Sequence, residues 1–133
     1  AKAVENDYIG VPCGIMDQMA VAIAEPGMVL ALDTGTLAFD ALRLPGNWRM
    51  SVVHSGVSRQ LADGRYGQLR AEILEAASLL DADHLVEADL AGCARLPPRL
   101  ASCARHVVTE HQRTQRALAC IRAGDLEGFG QAM

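Results

Sequence analysis

The run Cys13-Gly14-Ile15-Met16-Asp17-Gln18 holds the densest set of chemically useful groups in the chain. Gly14 ends a loop, and its missing side chain lets a ligand approach the backbone. The residues after it open a helix from about Ile15, and first-turn amides lack intrahelical acceptors and attract negative charge. Asp17 falls in that first turn. Two readings are open from the spacing. Asp17 is a carboxylate placed for helix-terminus electrostatics, or it stands at the mouth of a ligand site and accepts a proton from a hydroxyl. Upstream, Glu5 reads by residue type as a solvated helix carboxylate. Cys13 has no neighbour in sequence that would lower its pKa, so it reads as a small buried residue.

The elements that must position these groups follow from the pattern. Ala1–Asn6 reads as the tail of a helix already under way, broken by Gly10-Val11-Pro12, since Pro12 pushes Val11 out of helical geometry. Met16, Met19, Ala20 and Ile23 share one face of the next helix and read as core. Glu25-Pro26-Gly27 ends that helix. Met28–Leu32 is a continuous apolar run expected as a strand buried on both faces. Asp33–Thr36 reads as a turn and Leu37–Leu44 as a returning strand. Leu44-Pro45-Gly46-Asn47 is the candidate boundary, and Arg49–His54 the next strand, with His54 at its end as a hydrogen-bonded edge residue. Tyr66, Leu69, Ile73, Ala77 and Leu80 keep helical spacing for four turns. Residues 83–104 are expected to be irregular, with Pro97-Pro98 excluding helix. A late helix carries Leu118 and Ile121 until Ala123-Gly124, and Asp125 is a candidate N-cap for Leu126, Phe129 and Met133. That last helix stops at Met133 without a terminator. Both ends read as cut, so a piece of a longer chain is expected.

Composition narrows the function classes. The 133 residues are 50% hydrophobic and 21% charged, ordinary for a soluble globular protein. At 4% aromatic, the core must rest on aliphatic side chains. The formal charge is −4, no Lys/Arg block occurs, and basic and aromatic residues do not interleave, which argues against nucleic-acid binding. The longest apolar run falls far short of the ~20 residues of a membrane span. With no secretory signal, Cys13, Cys93, Cys103 and Cys120 read as reduced thiols of a cytoplasmic protein. No Cys-x-x-Cys pair occurs, and Cys103-x-x-His106 is too little for zinc. His106 and His111, with Arg113, Arg116 and Arg122, read as solvated helix faces.

Gly10-Val11-Pro12-Cys13-Gly14-Ile15-Met16-Asp17-Gln18-Met19 resembles the catalytic-base segment of galactokinases, within the wider galactokinase, homoserine, mevalonate and phosphomevalonate kinase superfamily. Further likenesses follow in the family's order. Glu5-Asn6 is similar to the ending of the preceding helix. Ser55-Gly56-Val57 with Arg59, then Tyr66 and Arg70, is similar to the next block. Arg105–Glu110 and Arg122–Asp125 resemble the later helices. The resemblance is weakest across 83–104.

The resemblance implies an α+β fold, part of a two-lobed sugar kinase and incomplete at both ends. Residues 1–45 would close the amino-terminal lobe, and 46–133 would begin the carboxy-terminal one. The implied reaction is ATP-dependent phosphorylation of D-galactose at O1, with Mg2+. Asp17 would be the base for the anomeric hydroxyl. Gly14 would contact the sugar through its backbone, and Tyr66 through its hydroxyl. Glu5 would hold the magnesium, and Arg59 would face phosphate. Because phosphoryl transfer is mostly positioning and charge stabilisation, metal and cations should matter as much as the base. Two departures stand out: Asp33-Thr34-Gly35-Thr36 replaces the family's Asp-Cys-Arg-Ser, and Gly67-Gln68-Leu69-Arg70 lacks the first arginine of a usual pair. The 133 residues contain neither the family's amino-terminal sugar signature, nor its Gly-rich Ser-Ser loop for ATP, nor its late Gly-rich motif. The chain alone is therefore expected to be inactive. Related kinases for arabinose, galacturonate or N-acetylgalactosamine remain alternatives, as does a non-catalytic galactose sensor on the same fold.

Overall fold

Residues 4–10, 13–57 and 65–133 are described by the computed structural model, mostly as helix with one small sheet. The chain divides into two units, Ala1–Gln60 with Ala117–Met133, and Leu61–Arg116. The mixture is α+β, as the sequence led us to expect.

In the first unit, Val4–Ile9 forms a single π-helical turn. Gly10 follows with φ +78°, a conformation open to glycine. Helix α1 spans Met16–Ile23 and ends where Ala24 turns extended before Pro26. It has no fully buried residue: Met16 is 62% exposed, so its expected core role does not hold, whereas Met19 is half-buried.

Strand β1, Met28–Leu32, pairs antiparallel with β2, Phe39–Arg43, in the register Met28 to Arg43 through Leu32 to Phe39. Asp33 builds the connection. Its Oδ1 accepts from the N–H groups of Gly35 (2.8 Å) and Thr36 (3.0 Å), and its carbonyl accepts from Leu37 N–H (2.8 Å). Leu37 takes φ +63° there, so the returning strand starts two residues later than the pattern indicated. β1 is half-buried along its length instead of buried on both faces, because β2 is its one neighbour among the described residues.

Arg49–His54 forms no strand: Val52 and Val53 are 101% and 86% exposed. Alternating β-formers adopt a ladder only beside a partner strand, and this segment pairs with none described. Just before it, Trp48 is buried, its ring 5.2 Å from that of Phe129 at 38°. Phe129 lies on α5, Leu126–Ala132, where Asp125 accepts from Gly128 N–H at 2.9 Å as the expected N-cap. A Cβ on Gly128 would come within 2.9 Å of Cys120 Sγ and closer still to the Asp125 carboxylate, so a side chain there would push the capping group aside.

The second unit has the apolar core. Helix α2, Arg65–Leu79, forms where the stripe was expected and buries Ala76 and Ala77, but of the stripe only Ile73, Ala77 and Leu80 pack on the core, and Tyr66 and Leu69 are exposed. A 3-10 turn, Leu85–Glu87, leads to α3, Leu90–Arg95, and α4 runs from Pro98 to Ala123. Residues 83–104 are thus largely ordered helix, contrary to expectation. Proline disrupts a helix interior but suits its first turn, where its missing N–H would have no partner anyway. Pro98 occupies that first position, and the Pro97 carbonyl accepts from Leu100 and Ala101 N–H, both at 2.9 Å. Asp89 caps α3 through Gly92 N–H at 2.5 Å. Leu85, Cys93, Leu96, Leu100, Ala104 and Val108 pack with Ala76 and Ala77. Burying a side chain the size of Leu100 stabilises by roughly 1.5–3 kcal/mol.

Candidate active site

The π-helical turn, the loop before α1 and the first turn of α1 meet through four side chains. Asn6 Oδ1 accepts from the backbone N–H of Cys13 at 2.8 Å, tying the loop to the turn. Gln18 Nε2 donates to Glu5 Oε1 at 3.0 Å and reaches Cys13 Sγ at 3.6 Å. Hydrogen bonds from the Cys13 and Gln18 side chains, in that order of weight, hold the Glu5 carboxyl below the usual carboxylate range. Donors favour the charged form of an acid, and here they outweigh its partial desolvation. Gln18 Oε1 is buried and has no hydrogen-bond partner among the described residues.

Asp17 lies immediately before Gln18, exposed in the first turn of α1. No side chain caps that helix: Ile15 is its N-cap residue, and the Ile15 carbonyl accepts from Met19 N–H at 3.0 Å. Gly14 is exposed one residue earlier. Glu5, Gly14 and Asp17 therefore belong to one unit. Tyr66 is the second residue of α2 in the other unit and is half-exposed, so its ring is only partly packed. Arg59 lies outside the described residues, as do Val11 and Pro12.

The remaining candidates have local tasks. His54 ends no strand; its Nδ1 accepts from Gly56 N–H at 3.0 Å, and Gly56 takes φ +79°. Glu110 pairs with Arg113, and Arg122 reaches Asp40 at 3.2 Å. Cys93, Cys103 and Cys120 are free thiols, and burial pushes the Cys103 thiol up, with Glu72 adding to the shift. A cavity of about 310 Å3 between α3 and α4 is lined by Leu90, Cys93, Pro98 and Arg105 among others, and by none of the site candidates. No helix among the described residues is long and apolar enough to cross a membrane.

Sequence reasoning missed Gln18 and Asn6. Both lie within the quoted motifs, but an amide's partner is visible only after folding. For the cation, no group of three metal-ligating side chains gathers among the described residues. A lone half-buried carboxylate, held in its charged form, fits magnesium, which commonly takes one or two carboxylates together with substrate phosphates and water.

The first unit thus carries one oriented carboxylate, Glu5, and a second, Asp17, at an uncapped helix start. The comparisons are more specific. The galactokinase of Chloroflexus aurantiacus is 39% identical over 142 residues, covering 100% of this chain and 36% of that protein. That of Thermococcus kodakarensis is 35% identical over 136 residues, covering 100% and 38%. The crystal structure of Lactococcus lactis galactokinase complexed with galactose matches with a TM-score of 0.82 at 27% identity, covering 98% of this chain and 36% of that one. No protein-family model matches. The chain spans a little over a third of the length of these relatives. From end to end it is built like one segment of a galactokinase.

Proposed function

We propose that the segment serves a galactokinase, a cytoplasmic enzyme transferring the γ-phosphoryl group of ATP to O1 of D-galactose. The observation carrying this reading is likeness over the whole chain to galactokinases from separate lineages, with the galactose-complexed relative sharing the fold. Asp17 is the base. It takes the anomeric hydroxyl proton as that oxygen attacks the γ-phosphorus and the bond to the ADP oxygen breaks. Its exposure in a helix first turn supports this, since the carboxylate is reachable there. Gly14 approaches the sugar through its backbone, Tyr66 through its hydroxyl, and Arg59 faces the phosphates. Glu5 would hold Mg2+, which when bound supplies neutralisation of phosphate charge. Residues 1–45 close one lobe and 46–133 begin the next.

The 133 residues include no Gly-rich phosphate loop, so the chain alone turns over no galactose. The test is galactose-dependent ADP release by the full-length protein, its Asp17→Asn variant and the 133-residue chain. Full turnover is expected only from the first, with Asp17→Asn losing about 10²–10⁴-fold in kcat and the 133-residue chain showing none. Full activity of Asp17→Asn would remove the base assignment. A full-length protein that prefers arabinose, galacturonate or N-acetylgalactosamine would redirect the substrate.

A further inference from the structure

We propose that Gln18 is a positioning residue that fixes the orientation of the Glu5 carboxylate for the cation; this rests on the magnesium role proposed above for Glu5. An amide has a donor end and an acceptor end, and a carboxylate can take only the donor. The 3.0 Å contact from Nε2 to Glu5 Oε1 therefore sets which way the Gln18 side chain faces. Its other end gains nothing from that orientation, since Oε1 is buried without a partner among the described residues. A glutamine kept for general packing would satisfy both ends. What this one gains is Glu5, with Cys13 Sγ as a secondary contact at 3.6 Å.

Full burial does not explain the arrangement either: α1 has no fully buried residue, and Gln18, Met19, Ala20 and Ile23 are half-buried. Glu5 is held across the loop by side-chain bonds, and the Cys13 backbone is braced on Asn6. Gln18 also directly follows Asp17, so the helix that carries the base carries the orienting group for the second carboxylate. A shift of α1 would displace both together.

The test uses the full-length protein and Mn2+ as probe, with its affinity for the ADP complex read by electron paramagnetic resonance. Gln18→Met preserves length and removes the donor. It is expected to weaken Mn2+ binding about tenfold, the scale of lost outer-shell partners, with the KM for galactose unchanged. In a Glu5→Gln background the same change should have no further effect on Mn2+. If Glu5→Gln weakens Mn2+ but Gln18→Met does not, the positioning role is overturned while the magnesium reading stands. If Glu5→Gln leaves Mn2+ affinity unchanged, the magnesium reading fails and this inference with it. Should Gln18→Met fail to fold, the Gln18 side-chain amide resonance of the unmodified protein decides. Broadening by Mn2+ with ADP, lost in Glu5→Gln, supports the proposal, and an unaffected resonance overturns it.

Discussion

In the unit built on Leu61–Arg116, Leu100, Val108 and Cys93 are fully enclosed, and small residues such as Ala76 and Ala104 let the helices approach closely. In the unit that carries Glu5 and Asp17, α1 has no buried residue, and polar bonds through Asn6 and Gln18 join its parts. The first arrangement is non-directional and tolerant of small shifts, because apolar burial scales with area. The second depends on particular atoms meeting at particular angles. The proton-transfer and metal roles proposed above for Asp17 and Glu5 need groups that are reachable and aimed, and the polar arrangement suits that proposal at the expense of packing.

The contrast predicts different responses to the same kind of truncation. Leu100→Ala leaves a cavity in the enclosed core and should cost about 2–5 kcal/mol. Met16→Ala, on the exposed face of α1, should change stability by less than about 0.5 kcal/mol. Urea unfolding of the two variants, followed by circular dichroism, gives the comparison. Equal losses would mean that the unit holding the site is packed as tightly as the other.

A smaller effect is expected at the start of α3. Asp89→Ala removes the acceptor of Gly92 N–H and should cost about 1 kcal/mol, the usual worth of an N-cap. Asp89→Asn or Asp89→Ser should recover most of it, because both present a side-chain oxygen. A Cβ at Gly92 would sit 2.9 Å from Asp89 Oδ1, so Gly92→Ala should lose the cap even with Asp89 in place. Unfolding midpoints of the four variants test the order.

Much of this was legible in the sequence, for reasons that differ by residue. The stripe from Tyr66 to Leu80 was readable because helical periodicity survives whatever the helix packs against. The Asp125 cap needs only its own next three residues. Pro97-Pro98 misled because a proline's meaning depends on whether it starts a helix or interrupts one, and composition does not say which. Arg49–His54 misled because strand propensity reports fitness for a sheet, not the presence of a neighbour. In the proposed site, Asp17 and Glu5 were named from a resemblance of motifs, and their roles stay proposals. Gln18 was not, since its bond to Glu5 crosses thirteen positions and an unpaired buried oxygen has no signature in residue order.

The smallest effect concerns charge at the surface of α4, where the unit with the packed core also uses polar ties. The Arg113 guanidinium beside Glu110 holds that carboxyl below its ordinary range, with a weaker contribution from His106 at 3.9 Å. A depressed carboxyl pKa means the folded state binds the proton less readily than the unfolded one. The pair therefore contributes stability above the ordinary glutamate range, and loses it as pH falls through the lowered folded value. Both groups are solvent-accessible, so screening keeps the contribution small and salt should shrink it further. Arg113→Met should leave the melting temperature slightly lower at pH 7, with the two proteins converging as the solution is acidified and as salt is added. Its Glu110 carboxyl, followed by carbon-13 resonance, should titrate at a higher pH than in the unmodified chain. A gap in melting temperature that persists in acid would show that Arg113 stabilises through the packing of its stem, bringing this surface closer in kind to the core beneath it.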